Sequence, residues 1–267
     1  MVRVPRCGAL PRRGAAVLRS TIVTFRSMRF TMPETEGYKD RTHAGRQLAR
    51  SLRHLAGQSD PIVLGLPRGG VPVAFEVAIA LGAELDVLLV RKLGMPGNEE
   101  YAMGAIGSGG VRVLQPGVPG LLGVNQEQVD HVAARELAEL ERRDRLYRGG
   151  RPPPRLEGRC VILVDDGIAT GASMLAAVQV VRKHRVAQLA VAAPVGAPDT
   201  LERLAREADE VVCPLAPPRF HAVGQFYRSF GQTDDEEVQD LLAQAWAAPA
   251  APNGGQQGNK DNRKERT

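Results

Sequence analysis

The chain has 267 residues, enough for one large domain or two small ones, and its hydrophobic content of 43% supplies a substantial core. No apolar run approaches the ~20 residues of a membrane helix, which argues against a helical membrane protein. The formal charge of +5 sits at the ends: residues 1–33 hold seven Arg and no acidic residue, while 34–246 hold 24 basic against 28 acidic residues, a net of −4, so the body of the chain offers little to nucleic acid.

Residues 1–27 are Arg-rich and acid-free, as organelle transit peptides are, yet lack the apolar core of a secretory signal. A start at Met28 is the simpler expectation, with 1–33 read as an extension that is disordered or not part of the native protein. The folded domain is expected over 34–246. Residues 247–267, rich in Pro, Gly, Gln and Asn, are read as a disordered tail. Cys7, Cys160 and Cys213 show no metal-ligand spacing, and the last two fall in predicted strands, so buried, inert thiols in a reducing cytoplasm are expected.

Along the chain, Ala44, Leu48, Leu52 and Leu55 have helical spacing over 38–56, with Asp40 as cap. Residues 61–66 read as a buried strand broken by Pro67-Arg68-Gly69-Gly70, and Val71 to Leu81 as the next helix, with Pro72 in its first turn. Leu85 to Lys92 reads as a second parallel strand. Residues 94–101 hold too many Gly and Pro for a regular element and read as a mobile loop. Ala102–Ser108 and Val111–Leu114, joined at Gly109-Gly110, read as a short hairpin. Asn125 caps a long charged helix running to about Arg148, expected to be a solvated face without chemistry.

The stretch Val161 to Ser173 organises the rest. Four apolar residues suit a strand buried on both faces, and Asp165-Asp166-Gly167-Ile168-Ala169-Thr170-Gly171-Ala172-Ser173 then describes a tight turn into a helix N-terminus. A helix start leaves N–H groups unpaired and carries partial positive charge, which a phosphate satisfies. Gly167 and Gly171 allow close approach, and the Thr170 and Ser173 hydroxyls add donors. Asp165 and Asp166 would repel that phosphate, so they should face something hydroxylic or cationic, as in a sugar phosphate with a divalent ion. Further strands at 188–195 and 210–215 flank a helix at 199–208. This alternation predicts an α/β fold, a mainly parallel twisted sheet with helices on both faces, with its site beyond the C-terminal strand edge. Residues 216–246 are read as a small C-terminal hood in which Phe220, Phe226 and Tyr227 are candidate base-stacking rings.

The stretch 161–173 resembles the phosphoribosyl pyrophosphate (PRPP) signature of type I phosphoribosyltransferases, and Leu66-Pro67-Arg68-Gly69-Gly70 resembles the pyrophosphate loop of the same family. Together with Val-Arg-Lys-Leu-Gly at 90–94, these stretches are most similar to bacterial phosphoribosyltransferase-domain proteins whose acceptor is not established. The resemblance covers about 38–246 and implies transfer of a 5-phosphoribosyl group from PRPP to a nitrogenous base or amine. It places Asp165 and Asp166 on the ribose hydroxyls and residues 167–173, including Ala169, Thr170, Gly171, Ala172 and Ser173, around the 5′-phosphate. Arg68, Gly69 and Gly70 would hold the leaving pyrophosphate, joined by Arg91 or Lys92. Mg²⁺ is expected to be held largely by PRPP oxygens, with no strict protein ligand. The family often holds the loop in a cis non-proline peptide, expected here at Arg68–Gly69. Residues 94–101 correspond to its flexible loop, where Glu99 or Glu100 is a candidate proton acceptor. Transferases for 6-oxopurines typically carry Asp where this chain has Ala169, which counts against hypoxanthine and guanine. The alternative is a sensor of PRPP or nucleotides with the same fold. The oligomeric state stays open, a homodimer included.

Overall fold

A computed structural model describes residues 22–24, 37–58, 60–115, 117, 120 and 123–247. The Met28 start, Cys7 and the tail beyond 247 lie outside these residues. Six strands form a parallel sheet: β1 (Ile22–Thr24), β2 (Pro61–Gly65), β3 (Glu84–Val87), β7 (Cys160–Val164), β8 (Gln188–Ala192) and β9 (Glu210–Val212), in the order β1-β9-β8-β7-β2-β3. The edge strand β1 lies within the Arg-rich N-terminal stretch, with Ile22 opposite Glu210. Strands β2 and β7 are central neighbours, Gly65 opposite Val164, so the two loops resembling family motifs leave the sheet side by side.

Period-two alternation feeds two cores. Val63, Ile162 and Ala190 face one layer, formed by α1 (Arg41–Ser51), α2 (Gly70–Leu81), α3 (Gln126–Arg148) and α6 (Asp235–Ala247). Ile62, Leu64, Val161, Leu163 and Leu189 face the other, formed by α4 (Ala172–Arg182) and α5 (Pro198–Leu204). All five residues of β7 are buried, as a strand covered on both faces requires. Asp40 caps α1 by accepting from the His43 N–H at 2.7 Å, and Asn125 caps α3 in a reciprocal capping box with Gln128.

Three expectations are corrected. Leu85 to Lys92 is not one strand. After Val87 the Leu88 N–H still bonds the Gly65 carbonyl at 3.0 Å, and then β4 (Val90–Met95) leaves for a separate antiparallel sheet with β5 (Asn98–Gly107) and β6 (Arg112–Leu114). Residues 94–101 are not an irregular loop: Pro96-Gly97 is the tip of the β4–β5 hairpin, with Gly97 at φ +79° and register shifts around Gly94. The Gly and Pro that suggested a break instead make the turn. Nor is α3 simply a solvated face, since its Glu136 and Arg148 are buried and ion-paired to Arg91 and Asp86.

α6 was not foreseen as a helix. Val238 and Leu242 bury its inner face, and the Trp246 indole N–H donates to the Leu85 carbonyl at 2.9 Å. Cys160 and Cys213 are buried free thiols, and burial pushes their pKa values up to about 11 and about 12. Among the described residues no helix is long and apolar enough to cross a membrane.

Candidate functional site

The site forms where β2 and β7 end. The turn after β2 folds back on itself: Leu66 N–H bonds the Val164 carbonyl at 2.9 Å, Gly70 N–H the Leu66 carbonyl at 3.0 Å, and Val71 N–H the Arg68 carbonyl at 3.1 Å. A cis non-proline bond lies here at Pro67–Arg68, one residue before the expected Arg68–Gly69. The two glycines have a steric reason. A Cβ on Gly69 would stand 2.1 Å from Asp166 Oδ2, and one on Gly70 would stand 2.7 Å from the Val164 carbonyl and 3.1 Å from Asp165 Oδ1. The 67–70 backbone therefore lies directly against the two carboxylates.

Asp165 and Asp166 sit at the mouth of β7. Burial is the first cause that raises the pKa of both. For Asp165 the neighbouring Asp166 carboxylate adds to it, against the Asp166 N–H, which donates to Asp165 Oδ1 at 2.9 Å, and the Arg41 charge. For Asp166 the main opposition is Arg41, whose Nε donates to Oδ2 at 2.8 Å.

Arg41 was missed in the sequence. It begins α1, where nothing in the local pattern separates it from Arg46 or Arg50, and only the fold carries α1 to β7. Its guanidinium carbon lies 4.0 Å from the centroid of the Phe230 ring, and its Nη1 donates to the Gly231 carbonyl at 2.6 Å. The 227–231 segment also bonds the backbone of the acidic pair: Tyr227 donates its hydroxyl to the Asp166 main-chain carbonyl at 2.6 Å.

The signature turn then passes into α4. Ile168 pairs with Gly196, its N–H bonding the Val195 carbonyl at 2.9 Å. Gly171, at φ +71°, is the residue before the helix, a left-handed position that favours glycine. Thr170 and Ser173 are exposed, and the Ala172 N–H that opens α4 donates to Thr170 Oγ1 at 3.4 Å.

The remaining expected residues divide. Arg68 is 37% exposed, with Nη1 3.9 Å from Asp235 Oδ1. Arg91 is committed to Glu136 on α3, whereas Lys92 is exposed on β4. The Glu99 and Glu100 side chains lie outside what the structure describes. Of the three candidate rings, Tyr227 is buried against Tyr38, with centroids 5.5 Å apart, while Phe220 and Phe226 are half-buried and stacked on each other at 5.5 Å. Among the described residues no group of three or more His, Cys, Asp or Glu is arranged to hold a metal.

A glycine-lined loop, paired carboxylates and a helix N-terminus lie together at the C-terminal edge of a parallel α/β sheet. The family model described as "Phosphoribosyl transferase domain" matches residues 36–228, and the chain belongs to that family. Two curated Mycobacterium tuberculosis proteins, from strains H37Rv and CDC 1551, carry the provisional name phosphoribosyl transferase. Each is 51% identical over 208 residues, 78% of this chain and 47% of the relative. The chain thus spans about half the length of the curated relatives it matches. A crystal structure of the protein TT1426 from Thermus thermophilus is similar with a TM-score of 0.72 and 49% identity, covering 78% of this chain and 98% of that one.

Proposed function

We propose that the chain is a PRPP-dependent phosphoribosyltransferase that moves the 5-phosphoribosyl group to a nitrogenous base or amine and releases pyrophosphate. The observation that carries this reading is the apposition of the 67–70 turn and the Asp165-Asp166 pair. A loop able to grip a diphosphate lies against carboxylates able to grip ribose hydroxyls, with a helix N-terminus alongside for the 5′-phosphate.

In the reaction the bond from ribose C1 to pyrophosphate breaks and its electron pair leaves with the pyrophosphate. A nitrogen lone pair then forms the new bond to C1, and the proton it sheds passes to a base. The anomeric carbon is oxocarbenium-like between these events, as in glycoside cleavage. Asp165 and Asp166 favour that positive charge and orient the hydroxyls. Arg68, with the N–H groups of residues 68 and 69, holds the leaving pyrophosphate, and Lys92 on β4 offers a second cation from the hairpin. Arg41 opposes the burial that raises the Asp166 pKa. Two adjacent carboxylates are hard oxygen donors of the kind Mg²⁺ takes together with phosphate oxygens, so Asp165 and Asp166 fit the ion. When bound it neutralises charge on the leaving group. Of the three candidate rings, the half-buried, mutually stacked Phe220 and Phe226 are the pair left to serve a planar acceptor, and Ala169 disfavours 6-oxopurines.

The test is incubation with PRPP, Mg²⁺ and a panel of bases and amines, with pyrophosphate release measured. Release that depends on one acceptor supports transfer. Tight PRPP binding without release under any acceptor replaces this reading with the sensor reading.

A further inference from the structure

A turn binds phosphate only if its N–H groups point at the ligand, and two residues outside the signature bond the carbonyls of this turn. Thr200 Oγ1 donates to the Ala169 carbonyl at 2.8 Å, and Arg203 Nη2 donates to the Thr170 carbonyl at 2.7 Å. Both donors come from α5, the helix after β8. In a trans peptide the C=O and the following N–H point in opposite directions in one plane. Fixing the Ala169 carbonyl toward α5 therefore turns the Thr170 N–H away from it, and fixing the Thr170 carbonyl does the same for the Gly171 N–H. Neither of these N–H groups meets an acceptor among the described residues.

Further contacts hold α5 in register with the turn. Ala197 N–H bonds the Ile168 carbonyl at 2.9 Å, and Thr200 N–H bonds the Ala197 carbonyl at 3.0 Å, so the α5 start is bonded to the β7 exit. The Thr200 methyl stands 2.4 Å from where a Cβ on Gly171 would lie, so the same side chain packs the left-handed residue and pins the carbonyl two residues before it. Thr200 is buried; Arg203 reaches the turn from the exposed rim.

We infer that Thr200 and Arg203 are positioning residues for the phosphate turn, acting through the Ala169 and Thr170 carbonyls to aim the Thr170 and Gly171 N–H groups at a 5′-phosphate. The inference rests on the PRPP reading of the site and adds a second layer to it.

The experiment compares two simple probes on the full chain by calorimetry with Mg²⁺ present. Ribose 5-phosphate carries only the group the turn would hold, whereas inorganic pyrophosphate carries only the group the 67–70 loop would hold. Thr200→Val keeps the shape and removes the hydroxyl, and Arg203→Met removes the guanidinium. Each should weaken ribose 5-phosphate by about three- to tenfold, the effect of losing one net hydrogen bond, and leave pyrophosphate affinity unchanged. Thr200→Ser should restore ribose 5-phosphate affinity. Unchanged ribose 5-phosphate affinity in both variants overturns the inference while leaving the PRPP reading intact. An equal loss for both probes with a lowered melting temperature also overturns it, in favour of a merely structural role. Absence of ribose 5-phosphate binding by the wild type removes the PRPP reading and this inference together.

Discussion

Arg41 Nε lies 2.8 Å from Asp166 Oδ2, joining the first helix to the acidic pair at the end of the central strand. Both side chains are 14% exposed, so the pair is poorly screened, and the same guanidinium carries the Phe230 ring and the Gly231 carbonyl. Arg41→Gln should therefore do two things. Pyrophosphate release from PRPP should fall by about tenfold to a hundredfold, the range expected when a charge-assisted hydrogen bond to a functional carboxylate is lost. Amide hydrogen exchange at 227–231 should rise in the free protein, because the segment loses one of its anchors. Arg41→Lys, which keeps the charge but not the planar face, should fall between the two in both measurements. Wild-type kinetics in Arg41→Gln would remove Arg41 from the site.

The acidic pair sets a stability cost with a defined sign. Asp165 has its pKa raised above the ordinary carboxylate value, first by burial and then by Asp166. Between the unfolded value of ~3.9 and the raised folded value, the folded chain holds more protons than the unfolded one, so stability falls as pH rises through that window. Asp165→Asn cannot ionise and escapes the cost. Its melting temperature should exceed that of the wild type at pH 8, and the advantage should vanish near pH 4, while transfer is lost at both. Thermal melts across pH 4 to 8 check this. An Asn variant destabilised at pH 8 would contradict the raised pKa of Asp165.

Gly69 is where a single methyl group should disable the site. Its Cβ would stand 2.1 Å from Asp166 Oδ2 and 3.3 Å from Arg41 Nε, so Gly69→Ala must push apart the loop and the ion pair. Overpacking of this kind costs about 1–3 kcal/mol. Pyrophosphate affinity and turnover should both drop sharply. Gly97→Ala makes a control: it too sits at a glycine turn, at φ +79°, but a Cβ there meets nothing within 4 Å, so its effect should be confined to the hairpin. Calorimetry with pyrophosphate on both variants separates them.

Much of this arrangement was legible in the sequence because the signals were local. The apolar run 161–164 gave the central strand, and Asp40 and Asn125 gave helix starts, since a cap is written in one residue and its neighbours. The two loops could be placed at one sheet edge because parallel strands all end on one side. What stayed hidden depends on contacts between distant residues. Leu88 bonds Gly65 before the chain turns away, so a continuous apolar run was read as one strand although two sheets share it. Pro96-Gly97 reads as a break until its flanking residues are known to pair. Arg41 and Asp166 are 125 positions apart, and neither position announces the other. Helix α6, by contrast, is written locally: Val238, Leu241, Leu242, Ala245 and Trp246 recur at helical spacing behind three acidic residues, a pattern that reading the segment as a hood passed over.

The buried pair of Asp86 and Arg148 supports the strand that leads into the β4–β5 hairpin. Arg148 Nε lies 3.0 Å from Asp86 Oδ1, Nη2 donates to the Val87 carbonyl at 2.7 Å, and Nη1 contacts Asp144; the side chains of Arg148 and Asp86 are 2% and 1% exposed. Burial raises the Asp86 pKa, and Arg148 is the main group opposing that rise. Arg148→Met leaves a buried carboxylate without its cation, a change that costs about 3–5 kcal/mol. Without Arg148 the folded-state pKa of Asp86 climbs further, so the loss should be largest at pH 8 and should shrink as pH falls toward ~4, where Asp86 protonates in both states. Adding Asp86→Asn to Arg148→Met should recover part of the stability at pH 8 and little at pH 4. Urea denaturation at the two pH values, followed through the emission of the single tryptophan, Trp246, tests this, since that indole is bonded to Leu85 next to Asp86. A pH-independent loss would mean that Arg148 acts through packing rather than through its charge.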